Sequence, residues 1–310
     1  MEGRRVTTSR LLGFDFESLE LAHRETLAPF LEAHPHSLSG YTFDCLVVWR
    51  PTFFYGWTMP GPDTLLVSCL LDPERDFHLM QPLGPVDGPI GERIVAAARD
   101  LPYALRIVGV DRAFLDANPR FAAHFEVTEE REAANYIYDA ESLARLPGRA
   151  FSAKRNHVAQ ASRAFDWTVA PLTPDNAEHG LCVLHEIRAE QEMELTGPLR
   201  EEQRALETTL RMWGTLREKG ILASVGSKPV GFSIYERQAP DTAVIHFERA
   251  LRSYKGMHQV VNQAVAQAIH AEGYTFINRE EDLGDPGLRK AKLSYNPVRI
   301  ADAFRLTFRR

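Results

Sequence analysis

The sequence of 310 residues contains few cysteines and no hydrophobic stretch of membrane-spanning length. Cys45, Cys69 and Cys182 stand far apart in apolar surroundings, a pattern that matches neither a CxxC metal motif nor a disulfide framework. The apolar run Leu65–Leu71 is much shorter than the roughly 20 residues that a transmembrane helix needs. The N-terminal segment lacks the apolar region of a signal peptide. We therefore expect buried thiols, no integral membrane segment and a cytoplasmic location.

The chain also lacks low-complexity tracts and an excess of basic residues. Its formal net charge is −6, which argues against a globally basic, DNA-binding protein but leaves room for a local basic patch. The hydrophobic fraction of 44% and the charged fraction of 25% are typical of a soluble globular protein. A chain of this length exceeds the usual size of a single core, so we expect two domains or one large α/β unit.

Hydrophobic periodicity and the positions of proline and glycine divide the first half into a helix, several strands, a second helix and a final strand. The predicted elements are helix Asp15–Ala33, strands Thr42–Arg50, Thr52–Trp57, Thr64–Leu71 and Phe77–Pro82, helix Ile90–Leu101 and strand Ala104–Val110.

The second half repeats this order of elements without a residue-level repeat, so a duplication is inferred from element order alone. We expect an N-terminal lobe at residues 1–135 and a C-terminal lobe at residues 136–310. The junction includes Ser142–Phe165, which carries five Lys/Arg residues and no acid. The predicted elements of the second half are helices Ala177–Gln191 and Arg200–Lys219, strands Ile221–Gly226, Pro229–Glu236 and Ala243–Ala250, helix His258–Glu272, and strands Tyr274–Asn278 and Ala303–Arg309.

This order of strands, loop, helix and strand resembles the fold of the Gcn5-related N-acetyltransferases (GNAT). The resemblance implies an α/β (α+β) protein with two tandem lobes, each a mixed, mostly antiparallel sheet flanked by helices. In that fold a loop and helix N-terminus present backbone N–H groups to the acyl donor. The corresponding loop here is Arg252–His258. Gly256 fits the first of its two small positions, but His258 stands at the second, where a side chain would crowd a pyrophosphate. Coenzyme A is therefore disfavoured as the donor.

An unusually charged segment, Ile277–Tyr295, follows the strand that ends near Asn278. Three consecutive carboxylates, on Glu280, Glu281 and Asp282, lie where open α/β sheets place ligand sites. Asp285 and Pro286 then predict an N-cap and a first-turn proline of a basic helix. Such carboxylates can hold an amine, although a solvated surface on which acids and bases merely pair is the other interpretation of a charge run.

The segment Asn278–Gly284 with Gly287–Tyr295 resembles the signature of a bacterial family related to the C-terminal domain of phosphatidylglycerol lysyltransferase. Weaker parts of the resemblance are spread over nearly the whole chain. They are Tyr136–Asp139, Lys154–His157, His246–Glu248 and Tyr254–Gln259.

The resemblance implies transfer of an aminoacyl group from aminoacyl-tRNA to an amine or hydroxyl, without a metal or a bound cofactor. The acceptor would be a small molecule or a lipid head group. Catalysis would fall to the carboxylates and to a tyrosine general acid, and neighbouring residues would bind substrate. The implied catalytic residues are Glu280, Glu281, Asp282 and Tyr295. The implied substrate-binding residues are His246, Glu248, Tyr254, Gly256, Asn278 and Arg279.

Basic residues in two parts of the C-terminal half are candidates for contact with tRNA phosphates, and Trp167 or Tyr254 could supply a stacking surface for a base. A helix with one charged face is the simpler interpretation of the first group. The candidates are Lys154, Arg155, His157 and Arg163 in one part, and Arg289, Lys290 and Lys292 in the other.

Several alternatives remain open at the level of sequence. Tyr295 is either the general acid or a core aromatic residue. His246 and Glu248 alternate on a strand and so share a face. Either they line the central cleft together, or His246 is a buried histidine satisfied by a neighbour. For the whole chain, the rivals are an acyltransferase that uses acetyl-CoA or another acyl-CoA on a small amine, and a non-catalytic module that binds a ligand.

Overall fold

The computed structural model of the chain describes residues 9–71, 76–191 and 197–310. Its internal contacts fall into two compact units. The first contains the described residues up to Ala134 together with Ala301–Arg310, and the second contains Asn135–Ile300. The last ten residues therefore belong to the first unit, whereas the sequence pattern assigned them to the C-terminal lobe.

The described residues form strands and helices that alternate along both units. The strands are β1 Ser9–Leu11, β2 Phe14–Ser18, β3 Gly56–Gly61, β4 Thr64–Leu71, β5 Asp76–Met80, β6 Arg106–Val110, β7 Phe125–Glu129, β8 Asn135–Asp139, β9 Trp167–Pro171, β10 Lys219–Val225, β11 Lys228–Ala239, β12 Thr242–Ala250, β13 Phe276–Asn278, β14 Arg299–Ala301 and β15 Phe304–Phe308. The helices are α1 Arg24–Ala33, α2 Phe43–Phe53, α3 Pro89–Ala98, α4 Arg112–Ala117, α5 Pro119–Ala122, α6 Ala140–Arg145, α7 Ser152–Ala164, α8 Glu178–Gln191, α9 Pro198–Arg211, α10 Met257–Ala271 and α11 Pro286–Leu293.

The sheet of the first unit has the strand order β1-β2-β3-β4-β5-β6-β15-β7. Strand β15 comes from the end of the chain and pairs antiparallel with both β6 and β7. Its alternate residues Phe304, Leu306 and Phe308 are buried in the core of this unit. The end of the chain thus completes the first sheet, which explains why the predicted strand Ala303–Arg309 lies outside the second unit.

The sheet of the second unit has the order β14-β8-β13-β12-β11-β10-β9. Strands β9 to β12 pair antiparallel, whereas β12 and β13 run parallel. Helix α10 packs on this sheet through buried residues at helical spacing, among them Val261, Val265 and Ile269. Both units are therefore mixed, mostly antiparallel sheets flanked by helices, and the predicted α+β fold class is confirmed.

Three predicted elements of the first unit are wrong. The predicted strand Thr52–Trp57 begins in helix α2, which ends at Phe53, and only its last two residues lie in strand β3. The predicted strand Thr42–Arg50 lies mostly in helix α2, where the six residues from Phe43 to Val48 are all buried. A short apolar run that is buried on all sides has no periodicity by which helix and strand can be told apart. The predicted helix Asp15–Ala33 begins only at Arg24, because Phe14 and Phe16 alternate with exposed Asp15 in strand β2.

Candidate functional site

The candidate site of the second unit lies where β12 and β13 part. Strand β13 pairs with β12 over only three residues, Thr242–Val244 against Phe276–Asn278. Beyond Asn278 the chain stays bonded to β8 through Arg279 N–H to the Tyr136 carbonyl, while β12 continues to Ala250. This separation leaves the residues after Asn278 facing the second half of β12.

Asn278 fixes the backbone at the start of the acidic segment. Its buried amide donates to Asn135 Oδ1 at 2.9 Å and to Gln238 Oε1 at 3.0 Å. Its side-chain oxygen accepts from Glu280 N–H at 2.8 Å. Glu280 itself has a φ of +58°, a left-handed conformation that a side chain other than glycine adopts at a cost. The asparagine therefore holds Glu280 in a strained but defined position.

His246 joins two carboxylates in the interior. Its Nδ1 lies 2.8 Å from Glu280 Oε1 and its Nε2 lies 2.8 Å from Glu236 Oε1. The strand pairing skips His246, because Ile234 faces Phe247 and Tyr235 faces Ile245. Such a bulge re-aims one side chain of a strand. Burial alone would lower the pKa of His246, but hydrogen bonds to both glutamates raise it well above its ordinary value. The raised pKa favours the protonated imidazole between the two carboxylates.

Glu248 and Arg279 form a second ion pair beside the first. Arg279 Nη2 donates to Glu248 Oε1 at 3.0 Å, and Asn262 Nδ2 donates to Glu248 Oε2 at 3.0 Å. The other terminal nitrogen of Arg279, Nη1, is buried without a hydrogen-bond partner among the described residues. The guanidinium also lies over the Tyr138 and Tyr295 rings, at 5.6 and 4.8 Å from their centroids. The arginine therefore keeps one donor available for a bound group.

Tyr295 lies close to two cations. Lys154 Nζ lies 3.9 Å from the centroid of its ring and donates to Ser294 Oγ at 2.6 Å. The guanidinium carbon of Arg279 lies 4.8 Å from the centroid of the same ring. Burial raises the pKa of Tyr295 to about 12, and burial lowers the pKa of Lys154. A buried, protonated phenol next to two cations can donate a proton to a developing anion.

Glu281 and Lys292 are a neighbouring acid and base with shifted titration. Burial and, secondarily, the charge of Glu280 raise the pKa of Glu281 to about 7. Burial and the charge of Arg279 lower the pKa of Lys292 to about 8. Lys292 Nζ donates to the Arg279 carbonyl, and Asn135 Nδ2 donates to Glu281 Oε2 at 3.4 Å. Both groups can therefore exchange protons near neutral pH.

Asp282 differs from its two acidic neighbours because its hydrogen-bonding capacity is fully used. It is completely buried and accepts from Tyr136 Oη at 2.6 Å, from Arg289 Nε at 2.8 Å and Nη2 at 2.9 Å, and from Gly284 N–H at 2.9 Å. The hydrogen bonds of Arg289 are the largest cause of a strongly lowered pKa at Asp282. This carboxylate anchors the loop and the first turns of α11. Helix α11 begins as predicted, with Asp285 as N-cap and Pro286 in the first turn.

The loop before α10 is held by side chains as well as by backbone. Gly256 has a φ of +90°, and a Cβ there would lie 2.4 Å from the His157 carbonyl oxygen, so glycine allows α7 and α10 to approach. Tyr254 packs on Phe165, with ring centroids 5.0 Å apart. Glu190 of α8 accepts from Arg252 N–H at 2.9 Å and Ser253 N–H at 3.2 Å.

The basic candidates are only partly gathered at the acidic segment. Lys154 lies next to Tyr295, and Lys292 lies next to Glu281. Arg289 instead pairs with Asp282. Arg155 Nη1 donates to the Leu146 and Gly148 carbonyls, so it closes the end of α6. The other basic candidates lie elsewhere on the surface or in the α7–α10 packing. These are exposed Arg163 and Lys290 and half-buried His157.

Trp167, the predicted stacking residue, lies on strand β9. It lines a cavity of about 300 Å³ with residues of β10 and α10, including Ile221 and Val260. No acid of the segment from Glu280 to Asp282 lines this cavity. The structure therefore separates Trp167 from the charged site.

Sequence reasoning missed Glu236, Gln238 and Asn262. Glu236 and Gln238 follow one another at alternate positions of β11, which is the signal of a shared face. Neither stands near a motif, and their proximity to His246 and Asn278 depends on the register between β11 and β12, which no local pattern specifies.

One group among the described residues has the spacing needed for a metal ion. The ligating atoms of Glu218, Glu236 and His246 all lie within 4.8 Å of one another, and all three residues are buried. Both ring nitrogens of His246 already hydrogen-bond to carboxylates. The expectation of a site without a metal stays a prediction.

A search of the described helices finds none that is both long and apolar enough to cross a membrane. A search of curated proteins finds no relative that matches the chain significantly.

Solved structures resemble this one over most of its length. A conserved protein of unknown function from Bacteroides thetaiotaomicron shares 29% identity, with a TM-score of 0.86 over 95% of this chain and 99% of that one. The C-terminal domain of a putative lysylphosphatidylglycerol synthetase from Agrobacterium fabrum shares 12% identity, with a TM-score of 0.64 over 92% of each chain. A tandem GNAT protein from the clavulanic acid biosynthesis pathway shares 12% identity, with a TM-score of 0.50 over 94% of this chain and 98% of that one. The last two are alike in fold alone.

The family model described as "Phosphatidylglycerol lysyltransferase, C-terminal" matches residues 32–306. This range includes the whole second unit, most of the first unit and every residue of the charged site. The resemblance found in the segment Asn278–Tyr295 is thereby confirmed, and the chain belongs to the family of phosphatidylglycerol lysyltransferase C-terminal domains.

Proposed function

We propose that this chain is an aminoacyltransferase that moves an aminoacyl group from aminoacyl-tRNA to an amine or hydroxyl, with its active site in the second unit. The observation that carries the proposal is the set of half-buried acids and bases where β12 and β13 part. Glu281 and Lys292 titrate near neutral pH there, and Arg279 keeps a buried donor available. The family match supports transfer chemistry in general.

The acids would serve amine recognition and proton removal. An aminoacyl group carries an α-ammonium, which the carboxylate of Glu280 can hold while His246 keeps that carboxylate in place. Glu281 would accept the proton of the attacking amine or hydroxyl, because a carboxylate with a pKa of about 7 is an effective base at neutral pH. The two neighbouring carboxylates thus have different tasks.

The cations would serve the developing negative charge. When the acceptor attacks, the carbonyl carbon becomes tetrahedral and its oxygen becomes an anion. Buried Arg279 Nη1 and Lys292 would stabilise that oxygen, an interaction that strengthens in a site from which water is excluded. When the intermediate collapses, the bond to the ribose oxygen breaks, and Tyr295 would donate the proton that this oxygen needs. Solvent then returns a proton to Tyr295 and removes one from Glu281.

Contact with nucleic acid would fall to cations outside this centre. Lys154 borders Tyr295, and exposed Arg163 and Lys290 lie on α7 and α11. These helices could meet the phosphates of a tRNA end. Because such contacts are electrostatic, we expect binding of tRNA to weaken steeply with salt.

The first test offers the purified protein mixed aminoacyl-tRNAs and acetyl-CoA in parallel at low salt, with the label followed on each donor. The proposal expects deacylation or transfer from aminoacyl-tRNA, lost in the Glu281→Gln variant. Consumption of acetyl-CoA alone would overturn it in favour of acyl-CoA chemistry. Ligand-induced stabilisation without turnover of any donor would instead point to a binding module.

A further inference from the structure

The loop that precedes α10 already holds an anion that belongs to the chain itself. Glu190 Oε2 accepts from Arg252 N–H at 2.9 Å, and its Oε1 accepts from Ser253 N–H at 3.2 Å and from the Ser253 hydroxyl. Three donors of one loop thus converge on one carboxylate. Burial would raise the pKa of Glu190, but these hydrogen bonds and the charge of Lys228 lower it, so the group is anionic.

Glu190 is an exposed residue of a helix that packs on the sheet. Helix α8 packs against β11 and β12. One turn before Glu190, Glu186 pairs with Lys228 of β11 at 2.5 Å. The carboxylate therefore reaches the loop from a helix that is tied to the sheet at the preceding turn.

Backbone N–H groups of a loop that opens a helix are well suited to bind phosphate, because they point at the ligand and the helix dipole favours negative charge. The same two N–H groups cannot serve Glu190 and a phosphate at once. A phosphate placed there would also meet the carboxylate at close range, and such like-charge contacts disfavour binding.

We infer that Glu190 is a specificity-determining residue that fills the anion position of the loop Arg252–Gly256 and so excludes donors that must place a pyrophosphate there. Coenzyme A carries a pyrophosphate, whereas the ester of aminoacyl-tRNA is presented without one. The inference rests on the proposed function for the choice of donor, but its test needs no transfer activity.

The test measures binding of inorganic pyrophosphate and of acetyl-CoA to the full chain by titration calorimetry. The wild-type protein is compared with Glu190→Ala, Glu190→Gln and Glu186→Ala. We expect Glu190→Ala to bind both ligands at least about tenfold more tightly than wild type, since this corresponds to removal of a like-charge contact. Glu190→Gln should gain less, because it loses the charge but still occupies the loop.

Glu186→Ala is the matched control, because it removes one carboxylate from the same helix and releases Lys228 but leaves the loop N–H groups occupied. Its affinities should stay within about twofold of wild type. An equal gain in Glu186→Ala would mean that net charge alone is responsible and would overturn the inference. A Glu190→Ala protein that has wild-type thermal stability but binds neither ligand more tightly would also overturn the inference. If Glu190→Ala does not fold, the affinities of Glu190→Gln for the two ligands decide whether the inference holds.

The two proposals fail in different ways. Tight binding and turnover of acetyl-CoA by the wild-type protein would overturn both the proposed donor and the role of Glu190. Transfer from aminoacyl-tRNA by the wild-type protein, together with no gain of anion binding in either Glu190 variant, would overturn the role of Glu190 alone.

Discussion

At the scale of single residues, neighbouring carboxyl groups of the site differ in burial and in hydrogen bonding. Glu281 and Asp282 are adjacent in sequence, yet burial raises the pKa of Glu281 to about 7 while the hydrogen bonds of Arg289 lower that of Asp282. One carboxyl can therefore exchange a proton at neutral pH, and the other stays ionised as an anchor. The family resemblance implied catalysis by both, and the contacts favour that role for Glu281.

Replacing Glu281 by Gln should lower transfer by roughly 10²–10⁴-fold, the usual contribution of a general base. A base must be deprotonated, so the wild-type rate should rise with pH through about 7, the pKa of Glu281. The rate of the Glu281→Gln variant should lack this rise with pH. The measurement is the pH profile of transfer from aminoacyl-tRNA, with thermal unfolding as the check that the fold is intact. A variant with the wild-type profile would exclude Glu281 as the base.

Replacing His246 by Gln should lower stability, because buried Glu236 and half-buried Glu280 would lose the cation between them. Breaking a buried ion pair by removing one partner costs about 3–5 kcal/mol. The pKa of His246 is raised above 6.5 in the fold, so its stabilisation is fully present below pH 6.5 and is lost as pH rises through the raised value. Urea unfolding at pH 6 and at alkaline pH should show a penalty that shrinks with rising pH.

The control for His246 is the double variant His246→Gln with Glu236→Gln, which removes one anion along with the cation. It should be more stable than the single variant, because one fewer uncompensated charge is buried. A double variant that is less stable by the sum of both single losses would show that the ion pair is not what His246 supplies.

At the scale of elements, the loop between β12 and α10 shows how one glycine permits two helices to pack. Replacing Gly256 by Ala should cost the strain of a left-handed residue, about 1–2 kcal/mol, and in addition the clash of Cβ at 2.4 Å from the His157 carbonyl. Gly273 has almost the same φ, +92°, but a Cβ at that position would have no neighbour within 4 Å among the described residues. Gly273→Ala should therefore cost the strain alone. Equal losses in chemical denaturation would contradict the packing argument.

The acidic segment provides a second matched pair. Asp282→Asn should destabilise the loop and α11 by roughly 1.5–3 kcal/mol, the range for hydrogen bonds to a charged group, because Arg289 is partly exposed to solvent. Asp285→Asn should cost little, because asparagine caps a helix as well as aspartate does. The pKa of Asp282 is lowered, so its contribution should be present above the ordinary value near 4 and be lost as pH falls further. Hydrogen exchange in α11 measures both effects, and equal protection in the two variants would refute the anchoring role.

The elements that the sequence predicts well are those with a local chemical signal. Asp285 and Pro286 mark the start of α11, which begins where the sequence places it. Helix α2 is mispredicted because its apolar residues are buried all round. The contacts of His246 with Glu236 and Glu280 depend on a bulge and on strand register, which are tertiary properties. Local patterns therefore find the acids of the site but not the partners that set their charge.

At the scale of the whole molecule, the sequence order and the spatial division of the chain differ at one place. A chain cut at residue 135 would separate two lobes in sequence, but β15 is paired between β6 and β7 of the first unit. Strand β15 thus holds an interior position, one strand from the edge, in a sheet whose other strands come from the N-terminal part.

Deleting residues 302–310 should therefore disrupt the first unit rather than the second, although the deletion adjoins the second in sequence. The loss would expose β6 and β7 edges and remove the buried side chains Phe304, Leu306 and Phe308, and truncation of each such side chain costs several kcal/mol, typically about 2–5. Hydrogen exchange followed by mass spectrometry should show lost protection in β6 and β7 while α10 stays protected. Lost protection in α10 with β6 intact would mean that β15 supports the second unit instead.

The triple variant Phe304→Ala, Leu306→Ala, Phe308→Ala keeps the backbone and should give the same pattern. Arg305→Ala and Thr307→Ala, whose residues alternate with the buried ones on the same strand, should leave it largely unchanged.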